Sequence, residues 1–154
     1  MTFFKKNKGN PKNIDEFGRL YVLRFEMRDG TILHKIGMCN SDRSVSRMME
    51  ILQSFFQQYR YIPSVTMRKN KKVLVPLLVE QHMHDVLDEF SFRFDKKFDG
   101  STEFFEGLDE GVVLSYIDNI DYNMFLDSDK IKDDEIKQVK DYLDKKEEED
   151  HVIF

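Results

Sequence analysis

Arg19-Leu20-Tyr21-Val22-Leu23-Arg24-Phe25-Glu26-Met27, then Arg28-Asp29-Gly30, then residues 31–38 with Lys35-Ile36-Gly37, is the stretch that decides the fold. The first run is aromatic and β-branched, the composition of a strand. Asp-Gly is a strong hairpin signal. Residues 31–38 then form the return strand, so the chain opens on a β-hairpin.

Asn40-Ser41-Asp42 offers N-cap side chains. Beyond it Val45, Met48, Met49, Leu52, Phe55, Phe56 and Tyr59 recur at three- and four-residue spacing, which predicts an amphipathic helix over 43–59. Pro63 follows, then a third short strand at Val65-Thr66-Met67 and a basic loop, Arg68-Lys69-Asn70-Lys71-Lys72. Residues 73–90 start as a continuous apolar run and end polar. Pro76 suits the first turn of a helix, so a helix is expected from about 75 to 90, with 73–79 open to a strand reading. A loop spans 92–101. Asp109 is the expected cap of a helix carrying Val112, Val113, Tyr116, Ile117 and Ile120. Residues 129–149 place Ile136, Val139 and Leu143 on one stripe amid alternating charges, a solvated helix with a narrow apolar seam. The expectation is an α+β fold of order β-β-α-β-α-α. A small three-stranded antiparallel sheet is flanked by helices, and a charged C-terminal helix follows.

The chain has 154 residues, 40% of them hydrophobic, with 14 Phe and 8 Met. That suffices for one cored domain and excludes general disorder. Three regions follow: a flexible basic arm over 1–16, a body over 17–126, and a charged tail over 127–154. No apolar run is long enough to span a membrane, and the lysine-rich start has no apolar segment behind it. A single cysteine, Cys39, excludes an internal disulfide and a cysteine-rich zinc site. The expected location is the cytoplasm.

The net charge of −5 hides an asymmetry. Residues 1–79 carry 15 Lys and Arg against 6 Asp and Glu, whereas residues 80–126 carry 3 against 12. A basic half is the footprint of a nucleic-acid face. The other reading is that the two halves pair with each other in the fold.

The ordered set Leu20-Tyr21-Val22-Leu23, Lys35-Ile36-Gly37, Arg47, Glu80 with His84, and Glu103-Phe104-Phe105 resembles the GIY-YIG endonuclease superfamily over about residues 19–106. The branch it is most similar to is common in phage and bacterial genomes. That resemblance implies a metal-dependent DNA endonuclease using Mg²⁺ or Mn²⁺, in a host cytoplasm if phage-encoded. Arg19-Leu20-Tyr21 stands where the family carries Gly-Ile-Tyr, with Gly18 one place earlier. Lys35-Ile36-Gly37 stands for Tyr-Ile-Gly. The resemblance assigns Glu80 as metal ligand, Tyr21 or a neutral Lys35 as activator of the attacking water, and Arg47 as phosphate clamp, with Arg43 the runner-up.

The residue types suit these roles. A lone carboxylate with phosphate oxygens and waters can hold Mg²⁺, and arginine's planar fork matches a phosphate. Glu80 and His84, four apart, share a helix face, whereas His82 and His84, two apart, do not. His84 is expected to contact phosphate, act as general acid, or support the metal ligand. Glu103 is either structural or close to the site. Arg43, Arg60, Arg68, Lys69, Lys71 and Lys72 are the candidate backbone-binding cations.

Two other readings stand beside the nuclease. One is a catalytically inactive module of the same fold, binding DNA or a host protein, the latter through the 129–149 helix. The other is an acidic interaction protein built on residues 80–150.

Overall fold

The computed structural model describes residues 17–40 and 43–152. The expected 1–16 arm lies outside them. The element order is β1 (Phe17–Glu26), β2 (Ile32–Asn40), α1 (Ser44–Tyr59), β3 (Ser64–Leu74), α2 (Pro76–Val86), β4 (Ser91–Phe92), β5 (Phe104–Glu106), α3 (Glu110–Asp118) and α4 (Asp133–Val152). Short 3-10 turns occupy Asp88–Phe90 and Tyr122–Phe125.

The sheet has five strands, not three, in the order β3-β1-β2-β5-β4, and every pairing is antiparallel. The two extra strands are two and three residues long. Alternation needs four or more residues to show, so neither Phe92 nor Phe104-Phe105 reads as a strand in the sequence. Phe104 pairs with Lys35 and Phe105 with His34, so β5 extends the hairpin beyond β2.

The expected basic loop is in fact the middle of β3. Pairing of β1 with β3 slips between Val22, opposite Lys69, and Leu23, opposite Met67. Arg68 is the extra residue of a bulge. The bulge switches faces: Val65 and Met67 pack with the aromatic core, while Lys69 and Lys71 turn to the opposite face and pair with Asp118 of α3. A face switch inside a strand destroys the simple period of two, which is why the sequence reads there as a loop.

Two cores lie on the two faces of the sheet. On one, Tyr21, Leu23, Phe25 and Leu33 pack with Ile51, Leu52 and Phe55 of α1 and with Phe98 and Phe104. On the other, Leu20, Val22 and Ile36 pack with Leu78, Val79 and Met83 of α2, Val113 and Ile117 of α3, and Val139 of α4. The apolar seam of α4 therefore docks on its own domain, with Leu143 against this core and Tyr142 edge-on to Tyr122 at 5.3 Å. Within α1 the buried face includes Ile51, whereas Val45, Met49 and Phe56 are exposed.

One helix start and one helix end differ from expectation. Arg43 precedes α1 and makes no side-chain cap, Asn40 ends β2, and Ser41-Asp42 lies outside the described residues. Pro76 does begin α2, but this helix ends at Val86 and a 3-10 turn takes over. Val75, before it, is buried with φ 40°, a left-handed conformation that costs a β-branched residue about 1–2 kcal/mol. Gly18 makes room for this entry: a Cβ there would meet Pro76 Cγ at 2.6 Å. Asp109 caps α3 as expected, accepting from the Val112 N–H at 3.3 Å.

Candidate functional site

The site is built around Gly37. Tyr21 on β1 pairs with Gly37 on β2, and Lys35 is two residues back on the same face. A Cβ on Gly37 would stand 2.5 Å from the Tyr21 hydroxyl oxygen and 2.7 Å from Lys35 Nζ. Only glycine leaves space for the phenol and the ammonium to lie over the strand. Both side chains are fully buried, at 0% exposure. Lys35 Nζ donates to the Tyr21 hydroxyl at 3.3 Å and to Glu103 Oε1 at 2.8 Å. The Asp99-Gly100 turn closes over this pair, since a Cβ on Gly100 would come within 2.6 Å of Lys35 Cε.

Helix α2 approaches the same strand. His84 Nε2 donates to the Ile36 carbonyl at 2.8 Å, and its ring packs on Phe105 at 5.5 Å. A carbonyl only accepts, so this bond puts the neutral imidazole's proton on Nε2 and leaves the lone pair on Nδ1. One ligand atom each from Glu80, His84 and Glu103 lie within 4.8 Å of one another. Three donors about 2.1 Å from one ion stand at most about 3.6 Å apart when evenly spread, so the three side chains must draw in by roughly an ångström to share a divalent cation. The donor set of two carboxylates and an imidazole fits Mg²⁺ poorly as a full cage but well as a partial one that keeps waters, and it suits Mn²⁺.

Electrostatics divide these groups. Burial pushes the Tyr21 phenol well above its usual range, opposed by the Arg47 charge. Burial pushes the Lys35 ammonium down, opposed by Glu103. Burial, then the Glu103 charge, raise Glu80 to about 7, opposed by Lys35. In the metal-free protein the folded Glu80 carboxyl keeps its proton to about pH 7, while the unfolded chain loses it near 4.5. Its contribution to stability is therefore full below 4.5 and is lost as pH rises through about 7. Urea midpoints measured across that window should fall with pH more steeply in the natural protein than in Glu80→Gln.

Arg47 projects from α1 and is bidentate on Asp99, with Nη2 to Oδ1 at 2.9 Å. The pair with Asp99 lifts its guanidinium further above its already high value. Asp99 is itself positioned by its N–H, which donates to Ser54 Oγ of α1 at 2.9 Å. A carboxylate on this fork occupies the geometry a phosphate would take.

The structure thus brings Tyr21, Lys35, Arg47, Glu80 and His84 together, with Glu103 added. Glu103 was undecided in the sequence because a single residue before a three-residue strand has no periodic context. Asp99 was missed altogether, its one signal being the Asp-Gly turn. The other cations do not join this cluster. Arg43 is exposed and pairs with Glu50 at 3.0 Å. Arg60 stands at the far end of α1, roughly 20 Å along the axis from Arg47. Arg68 pairs with Glu110, and Lys69 and Lys71 with Asp118. Lys72 is on β3 opposite Arg19. Much of the basic first half is therefore matched by the acidic second half. His82 stacks on Tyr116 and meets Phe125 edge-on, a packing role on the α3 side.

No helix among the described residues is long and apolar enough to cross a membrane. No curated protein and no solved structure matches the chain. The T5orf172 domain model matches residues 18–121, a span that runs from the start of the hairpin past α3 and holds every residue of the cluster. The chain belongs to the T5orf172 domain family.

Proposed function

We propose that this protein is a metal-dependent nuclease of GIY-YIG type acting on DNA. The observation that carries this reading is a connected cluster: Tyr21 and Lys35 lie over Gly37, Arg47 is bonded to Tyr21, Lys35 donates to Glu103, and Glu103 stands with Glu80 and His84. T5orf172 domains are phage-associated and linked to endonucleases, which supports the same class.

Mg²⁺ or Mn²⁺, held by Glu80 and Glu103 with His84 as nitrogen ligand, would neutralise charge on the leaving oxygen. The chain's own groups supply the rest. Phosphodiester hydrolysis needs a base for the attacking water, and burial separates the two candidates. Tyr21 holds its proton more tightly than a free phenol, whereas Lys35 releases its proton more readily than a free amine. Lys35 is therefore the base, and the Tyr21 hydroxyl, which accepts from Lys35 Nζ, orients the water. The water's proton passes to Nζ, the new P–O bond forms, and the opposite P–O bond breaks. Arg47 grips the non-bridging oxygens in place of Asp99.

End-labelled duplex DNA, single-stranded DNA and RNA, incubated with and without Mg²⁺ or Mn²⁺, test this directly. Metal-dependent cleavage of DNA supports the reading; binding without cleavage of any substrate contradicts it. The second outcome is the inactive-module reading. It has one observation in its favour: the phosphate clamp and the basic edge strand already hold acidic partners, Asp99, Glu110 and Asp118.

A further inference from the structure

Beside the cluster lies a cleft of about 410 Å³, between the end of α2 and the segment 91–102. His84 belongs to both: it is a member of the metal-ligand group and a wall of the cleft. Ser101 and Thr102, next to Glu103, also line it. The cleft is therefore continuous with the place where a phosphate would be cut.

Its lining is amphipathic in a specific way. Phe92, Phe94 and Phe105 form the apolar side. Phe105 is buried in one core, and Phe94 and Phe92 are half-buried against the other; among the described residues Phe92 has one ring contact, edge-on to Phe94 at 4.9 Å. Arg93 and Lys97 are exposed on the rim, and neither has a partner among the described residues. This separates them from the cations of β3, which α3 neutralises. Asp85 and Asp88 add acceptors at the end of α2.

Cations alone would suit any phosphate. Cations, an open aromatic face and carboxylate acceptors in one cleft suit a ligand that is anionic, planar and carries amino hydrogens. A nucleotide with an amino-bearing base has all three, and the volume lies within the ordinary range for a small-molecule site. Because the cleft opens onto the cluster, the ligand is part of the cleaved strand rather than a free nucleotide.

We infer that this cleft receives one unpaired nucleotide of the substrate strand, next to the scissile phosphate. The inference rests on the nuclease reading above. The base lies against Phe92, its exocyclic amine donates to Asp85 or Asp88, and its phosphate meets Arg93 and Lys97. A fully paired duplex cannot fill the cleft, so the preferred substrate contains a bulged, mismatched or single-stranded nucleotide. Cytosine is preferred to thymine, which has no exocyclic amine.

The test is fluorescence-anisotropy titration of the full-length protein at low salt with chelator present, so that no strand is cut. Three labelled duplexes are compared: fully paired, with one bulged cytosine, and with one bulged thymine. The cytosine bulge is expected to bind about tenfold tighter than the paired duplex, with the thymine bulge between them. Arg93→Ala combined with Lys97→Ala, and separately Phe92→Ala, should lose most of that preference. Asp85→Ala with Asp88→Ala, which removes both acceptors, should bring the two bulges together. Equal binding of all three duplexes by the natural protein would overturn the cleft assignment while leaving the nuclease reading intact. A preference that survives the Arg93 and Lys97 substitutions would overturn it as well. Failure to bind any duplex or the same strands unpaired would overturn the nuclease reading itself.

Discussion

Lys35→Met should cut DNA cleavage by about 10²–10⁴-fold and leave the unfolding midpoint unchanged or higher. The side chain is 0% exposed, and burial alone lowers its affinity for a proton. A buried ammonium is costly, and replacing a whole buried ion pair with apolar groups is often neutral or stabilising by about 1–4 kcal/mol, whereas removing one partner alone usually destabilises. The usual penalty for orphaning the partner is small here, because the Glu103 side chain is about a quarter exposed and can be solvated. Without the ammonium, the Glu80 and Glu103 carboxyls can also share a proton at modest cost. Guanidinium unfolding and cleavage rates measured on the same preparation check both halves. A midpoint that falls in step with activity would make Lys35 a structural ion pair rather than the base.

Gly37→Ala is the second large effect. Its Cβ would collide with the Tyr21 ring carbon Cζ at 2.6 Å as well as with the hydroxyl. These are packed groups, not loose side-chain ends: Tyr21 lies in the core with Leu23, Cys39 and Ile51. Overpacking of this kind costs about 1–3 kcal/mol. The catalytic cost is larger, because Tyr21 and Lys35 must move away from each other, and a misplacement of about 1 Å can lose about 100-fold in rate. A folded Gly37→Ala protein is therefore expected to bind DNA through Arg47 and yet cleave it poorly. Thermal unfolding, DNA binding and cleavage measured together distinguish this from simple collapse. Cleavage at the natural rate would show that the space over Gly37 is not used.

Long elements are legible in this sequence and short ones are not. The hairpin, α1 and α3 were legible because each has many residues obeying one period. β4 and β5 were not, because two or three residues have no period. β3 was half legible, since the Arg68 bulge moves its lysines to the other face and made a strand resemble a loop. In the site, Tyr21 and Lys35 were findable from strand position, and Glu80 and His84 from their four-residue spacing. Glu103 and Asp99 come from a segment whose path is fixed only by tertiary contacts: Phe98 against Phe55, Asp99 on Ser54 and Arg47, and Gly100 against Lys35. The charge asymmetry was visible, but its meaning needed the fold. β3 and α3 pair their charges, and the cations near the cluster without a partner among the described residues are elsewhere, at Arg93 and Lys97.

Metal-dependent cleavage by this protein requires the Glu80 carboxylate. Supercoiled plasmid, at low salt with Mg²⁺ or Mn²⁺, is incubated with the natural protein and with Glu80→Ala, each shown folded by its unfolding transition. Nicking that needs the metal and is lost in Glu80→Ala is the predicted result. Nicking at equal rates by both proteins, or by neither, would contradict it.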